Sequence, residues 1–164
     1  MLLELKEVFL NEGEQKQVTY SLPMTNIELD GVYPFKTPVQ VTVLAKNRAS
    51  LVKLTINVQF TYTRNCDRCF DEFSKQMNYK FTHRLIAALN EDNNDDYIET
   101  PDYKLELDDL VISDILLELP SKNLCKEDCK GLCPKCGKKL NTGDCSCSKT
   151  EVDSRLEILK QLID

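Results

Sequence analysis

Apolar and polar residues alternate from Pro38 onward. Val39, Val41 and Val43 point one way, with Gln40 and Thr42 between them. After a polar turn at 46–50 the same period returns over 51–62. Leu54, Ile56, Val58 and Phe60 share one face, and Lys53, Thr55, Asn57, Gln59 and Thr61 share the other. A period of two sustained over about a dozen residues predicts antiparallel strands with one buried face. Residues 73–89 predict the returning strand of a hairpin. Upstream, residues 2–10 and 15–22 read as two short strands around the turn Asn11-Glu12-Gly13. Residues 23–38, rich in Pro, Gly and Asn, read as a loop with a turn at Asp30-Gly31.

The period then changes. Residues 109–119 predict a helix that Asp108 caps and Pro120 stops, with Leu107 and Ile112 placed as a hydrophobic staple. Val111, Ile115 and Leu119 form its stripe, and Ile112 and Leu116 widen it. A face that broad must pack against a sheet. Residues 153–162 predict a last helix with Asp153 at its start and Val152, Leu156, Leu159 and Ile163 on one side. It docks on the domain or offers its stripe to a partner. Between sheet and first helix lies the acidic stretch 90–103, a loop with a short strand at 97–99. The expected fold is α+β: an antiparallel β-sheet or partly open barrel with a packed helix, a Cys-rich zinc-binding segment and a C-terminal helix. The expected layout is a β-rich core at 1–120, the Cys-rich segment at 121–149 and the terminal helix at 150–164.

Composition narrows the function. The 164 residues suffice for one domain with a core. No apolar run approaches the roughly 18 residues of a membrane span. The start, MLLELKEVFL, is broken by Glu4, Lys6 and Glu7 and does not read as a signal peptide. A reducing cytoplasm is the expected compartment, where clustered cysteines bind metal more often than they form disulfides. The formal net charge is −6, so bulk charge does not attract nucleic acid. The charge is uneven, however. Residues 91–119 hold eleven acids and one base, Lys104, whereas residues 121–149 hold seven lysines and three acids.

The eight cysteines carry the chemistry. Their spacings are Cys66-x2-Cys69, Cys125-x3-Cys129, Cys133-x2-Cys136 and Cys145-x-Cys147. Zinc takes four ligands in a tetrahedron, and a CxxC turn aims two sulfurs at one ion. Pro134 favours such a turn in Cys133-Pro-Lys-Cys136-Gly137, and Gly137 permits the positive φ just after the second ligand. Eight thiolates make two four-sulfur sites, expected to hold two Zn²⁺ ions. Eight thiolate charges against four zinc charges would take the net charge from −6 to −10. The first pairing joins Cys133, Cys136, Cys145 and Cys147 locally and leaves Cys66, Cys69, Cys125 and Cys129 to clamp the hairpin to the C-terminal segment. Spacing alone also allows Cys66 and Cys69 to join Cys133 and Cys136, one zinc with free thiols, or a redox switch.

Lys122, Lys126, Lys130, Lys135, Lys138, Lys139 and Lys149 surround these sulfurs. They offset the net −2 of each zinc tetrathiolate, or they contact RNA phosphates. Aromatic residues are absent from 104–164, so no base-stacking platform accompanies them. Enzyme readings fare poorly. Catalytic zinc keeps an open position and often uses His or carboxylate ligands, whereas the one histidine, His83, sits in a predicted strand. No P-loop, nucleophile elbow or dinucleotide fingerprint is present.

Cys66-Asp-Arg-Cys69-Phe70 at the end of a long strand resembles the signature of the YceD-like family, the large ribosomal RNA subunit accumulation proteins. Leu119-Pro120, Cys125-Lys-Glu-Asp-Cys129-Lys-Gly-Leu-Cys133-Pro-Lys-Cys136-Gly, Leu140-Asn141 and Cys145-Ser-Cys147 are similar to its C-terminal pattern. Asp153-Ser-Arg155-Leu156 resembles its final helix, with Ser154 where the family usually has Pro. The resemblance implies a cytoplasmic, non-enzymatic factor linked to accumulation or processing of large-subunit ribosomal RNA, binding RNA or a pre-ribosomal particle. Some relatives keep the first CxxC but lack most C-terminal cysteines, which by resemblance favours the first pairing. The alternatives are an adaptor whose acidic loop at 91–103 binds a basic ribosomal protein, and a thiol or zinc redox sensor.

Overall fold

A computed structural model describes residues 1–49, 51–87 and 97–147. The predicted terminal helix at 153–162 and residues 90–96 of the acidic stretch lie outside these residues. The main element is a five-stranded sheet. Strands β2 (Gln15–Leu22), β3 (Val39–Arg48), β4 (Leu51–Asn65) and β5 (Glu72–Ile86) follow one another as antiparallel neighbours, and β6 (Tyr97–Glu99) closes the order against β5. The two 15-residue strands β4 and β5 form one hairpin about 50 Å long.

The alternation sorts the two faces as the sequence predicts. Val41 pairs with Val58, Val43 with Ile56 and Ala45 with Leu54, so β3 and β4 turn their apolar residues the same way. All six are buried. Helix α2 (Leu107–Glu118) covers this face through buried Leu107, Val111 and Ile115. His83 on β5 meets α2 directly, with Nε2 at 2.7 Å from Asp114 Oδ2. The pair ties β5 to α2, and His83 lies in a strand as the sequence predicts. Each large apolar side chain so buried contributes about 1.5–3 kcal/mol.

Four expectations are corrected. Residues 2–10 do not form one strand. They form β1 (Leu2–Glu4), paired with β7 (Lys104–Glu106) in a separate two-stranded sheet, and a short helix α1 (Lys6–Leu10). Leu5, Val8 and Phe9 stand at i, i+3 and i+4 and turn inward together. Buried Asn47 of β3 donates its amide to the carbonyls of Val8 (2.8 Å) and Phe9 (3.2 Å), which α1 leaves without partners. Second, α2 begins at Leu107 rather than Asp109. Glu106 occupies the cap position without a side-chain cap bond, so neither the Asp108 cap nor the staple forms. Third, the α+β class and the open, chiefly antiparallel sheet are as expected, but the short edge strand β6 runs parallel to β5. Fourth, β3 continues through 46–48, leaving a tighter connection to β4 than the predicted turn at 46–50.

The loop at 23–38 is a loop, but a packed one. Met24 and Phe35 are fully buried, and the Phe35 ring packs tilted at 54° against Phe60, 5.4 Å between ring centres. Arg64 holds the loop from β4, donating to the Leu29 carbonyl at 2.6 Å and pairing with Asp30 at 2.8 Å.

Candidate metal centres

Cys66 and Cys69 sit in the turn between β4 and β5, at the tip of the long hairpin. That turn closes through Cys66 N–H to the Asp71 carbonyl and Phe70 N–H to the Cys66 carbonyl, both 2.9 Å. Phe70 takes a φ of +59° to do so. The C-terminal segment folds back onto the tip. Asp67 N–H donates to the Asn123 carbonyl at 2.8 Å, and Asn123 N–H donates to Asp67 Oδ2 at 2.7 Å. This reciprocal pair delivers Cys125 and Cys129 to the hairpin.

The result is a compact cluster. The sulfurs of Cys66, Cys69, Cys125 and Cys129 all lie within 4.8 Å of one another. Cys66 Sγ is 3.8 Å from Cys129 Sγ, and Cys69 Sγ is 3.6 Å from Cys125 Sγ. A tetrahedron of metal–sulfur bonds of about 2.3 Å has edges of about 3.8 Å, so these separations match ligands of one ion. They are nearly twice the roughly 2.05 Å of a disulfide. Cys66, Cys69 and Cys129 are buried among Phe73, Leu124 and Leu132, in a second small core apart from that of the sheet.

The other four sulfurs, of Cys133, Cys136, Cys145 and Cys147, form a local cluster, again within 4.8 Å of one another. Its turn is the one the sequence predicts. Gly137 N–H donates to the Cys133 carbonyl at 2.8 Å, and Gly137 has a φ of +70°. This cluster is less protected, with Cys133 buried, Cys145 and Cys147 half-buried and Cys136 exposed. The structure thus brings all eight predicted cysteines into two groups of four. It does not bring Cys66 and Cys69 to Cys133 and Cys136.

Hydrogen-bond donors around three of the sulfurs, those of Cys66, Cys129 and Cys133, favour thiolate. Burial pushes the Cys66 thiol up, but the backbone N–H groups of Cys125, Arg68 and Cys69 together outweigh it and bring it down to about 6. The backbone N–H groups of Cys136 and Lys135 bring Cys133 down to about 6. Cys129 is lowered chiefly by the side-chain amide of Asn141, which donates to its sulfur at 3.1 Å. A sulfur holding a shared proton shifts the other way. Cys147 beside Cys136 is pushed up to about 12, and metal binding displaces such protons.

The link between the clusters is tight. Gly131 has a φ of +75°, and a Cβ there would lie 3.0 Å from the Arg68 carbonyl oxygen. Arg68 in turn donates to the Cys129 carbonyl at 2.8 Å. Lys139 forms an ion pair with Asp71 beside the hairpin tip, and Lys138 donates to the Asp144 carbonyl at 2.7 Å. These two lysines of the basic segment therefore brace the clusters. Sequence reasoning did not assign Asn141, Arg68 or Gly131 a part in the site. The sequence signal for them was their place in or beside the cysteine motifs.

Among the described residues, no helix is long and apolar enough to cross a membrane. Comparison with known proteins adds the following. The family described as "YceD: Large ribosomal RNA subunit accumulation protein YceD" matches residues 54–163, a span that holds all eight cysteines. The "Large ribosomal RNA subunit accumulation protein YCED homolog 1, chloroplastic" of Arabidopsis thaliana is 28% identical over 151 residues, covering 74% of this chain and 47% of that protein. Uncharacterized proteins of Mycobacterium tuberculosis and Mycobacterium bovis are each 30% identical over 79 residues, 46% of this chain and 38% of theirs. The chain spans less than half the length of these curated relatives. No solved structure matches.

Proposed function

The chain belongs to the YceD family, and from that membership we propose that it is a non-enzymatic, zinc-binding factor supporting accumulation or processing of large-subunit ribosomal RNA. The observation that carries the reading is the family match itself, over residues that include both four-sulfur clusters. A second support comes from a relative whose own name refers to large ribosomal RNA subunit accumulation. On this reading the protein works by binding RNA or a pre-ribosomal particle, in the cytoplasm.

Zinc is the metal we assign to the clusters. Four thiolates at tetrahedral spacing suit zinc, and a closed all-cysteine site is ordinarily structural because no position stays open for substrate. Iron also accepts four thiolates, so the metal is tested directly. Elemental analysis of the purified chain is expected to give close to two zinc per chain, and iron in its place would overturn the assignment. Crosslinking in cells is expected to recover large-subunit RNA or precursor particles. Recovery of RNA-free complexes alone would count against direct RNA binding.

A thiol or zinc sensor is the second reading, supported by the exposure of Cys136 in the outer cluster. It requires zinc to leave under mild oxidant with a change in function, and inert zinc would sink it.

A further inference from the structure

The five-stranded sheet has a covered face and an open one. Residues on alternate positions of a strand, and their cross-strand partners, share a face. The open face therefore carries Gln40 and Thr42 of β3, Asn57 and Gln59 of β4 and Asn78 of β5, together with five cations. Lys46 stands opposite Lys53, and Lys53 opposite Arg84. With strands 4.7–4.9 Å apart, these three stems leave the sheet within about 10 Å of one another. Arg48 and Lys80 extend the patch along β3 and β5. All five are exposed.

Like charges in directly opposed positions destabilise a sheet, so folding gives no reason for this row. Among the described residues, none of the five has an ion-pair partner. Other bases do: Lys36 pairs with Glu72, Arg64 with Asp30 and Lys139 with Asp71. The acids at described positions of this face, Glu72 and Glu99, lie toward its margins. The acids of α2, Asp108, Asp109, Asp114 and Glu118, belong to the layer on the opposite face. Among the described residues the sheet thus separates charge, in a chain whose net is −6.

We propose that this open face binds the sugar–phosphate backbone of helical RNA, with Lys46, Lys53 and Arg84 as phosphate contacts. The proposal rests on the RNA reading above and places the contact away from the lysines of the cysteine segment. Two features select the backbone of RNA. Tyr97 is the one aromatic residue at a described position of the face, so no platform exists for stacking unpaired bases. The cations are flanked by hydrogen-bonding side chains already held in cross-strand pairs. Gln40 donates to Ser21 Oγ and Gln59 to Asn78 Oδ1, each at 2.8 Å. Such groups reach 2′-hydroxyls while the cations neutralise phosphates.

The test uses the full, zinc-loaded chain and a labelled hairpin from large-subunit ribosomal RNA. The triple variant Lys46→Gln, Lys53→Gln and Arg84→Gln removes like-charge repulsion and is expected to keep its fold. It should lose at least about tenfold in affinity. Its dependence of log K on log salt should become shallower by roughly 2–3, near 0.7–0.9 per lost phosphate contact. Neutralising Lys122, Lys126 and Lys130 should change binding little. Undiminished binding by the sheet variant, with wild-type binding intact, would overturn this face and leave the RNA reading standing. A wild-type chain that binds no RNA would overturn both. If it instead binds phosphatidylserine vesicles through these residues, the face belongs to a different partner.

Discussion

Asn141 holds Cys129 from two directions. Its amide donates to the sulfur at 3.1 Å, and its carbonyl oxygen accepts the N–H of Lys130, the next residue, at 2.9 Å. A hydrogen bond to a ligand sulfur stabilises the thiolate and fixes its orientation toward a metal. Asn141→Ala should lower metal affinity of the inner cluster by about 10–100-fold and leave the outer one unchanged. Competition with a chromophoric chelator reads this as one weak and one unaltered site. Two unaltered sites would show that the amide only closes the turn.

Gly131 is required for two separable reasons, its φ of +75° and its contact with the Arg68 carbonyl. Gly137 has a similar φ of +70° and nothing within 4 Å of a Cβ. Gly137→Ala should therefore cost only the backbone strain, about 1–2 kcal/mol. Gly131→Ala should cost more, because backbone must also shift. The midpoints of denaturant unfolding compare them, and equal losses would mean that the Arg68 contact yields freely.

The two clusters differ in exposure, and chemistry should follow. On treatment with a chelator and an alkylating agent, Cys136, Cys145 and Cys147 should be modified before Cys66, Cys69 and Cys129. Mass mapping of labelled peptides over time gives the order. Simultaneous labelling of all eight would mean that the clusters open together.

Removing the metals should not unfold the sheet. The core of the sheet and the small core around Cys66, Cys69 and Cys129 are distinct. The stripped protein should keep its far-UV sheet signal while the segment after Pro120 becomes protease-sensitive. Loss of the sheet signal on chelation would show that the inner cluster supports the whole fold.

His83 and Asp114 join β5 to α2 at 2.7 Å, with their side chains only 21% and 12% exposed. A double-mutant cycle with His83→Ala and Asp114→Ala should return a coupling of about 1 kcal/mol. Additive losses would mean that α2 is held by its apolar face alone.

By itself the sequence determined the features with a short physical range. Alternation at Val39–Val43 and Leu54–Phe60 specified strands and their buried face, because side chains on a strand must point to alternate sides. The stripe of Val111 and Ile115 specified a helix and its packing side, and the turn at Cys133–Gly137 followed from Pro134 and Gly137. Eight cysteines at ligand spacing announced metal chemistry but left their grouping open. Tertiary structure decided whatever depended on partners distant in the chain. Residues 6–10 became helical where Asn47, about forty positions away, donates its amide to the carbonyls of Val8 and Phe9. The tetrad of Cys66, Cys69, Cys125 and Cys129 formed because the reciprocal bonds of Asp67 and Asn123 return the chain to the hairpin tip. The row of Lys46, Lys53 and Arg84 exists only through strand register. Periodicity reports which way one segment faces, whereas register and chain reversal are settled by contacts between segments.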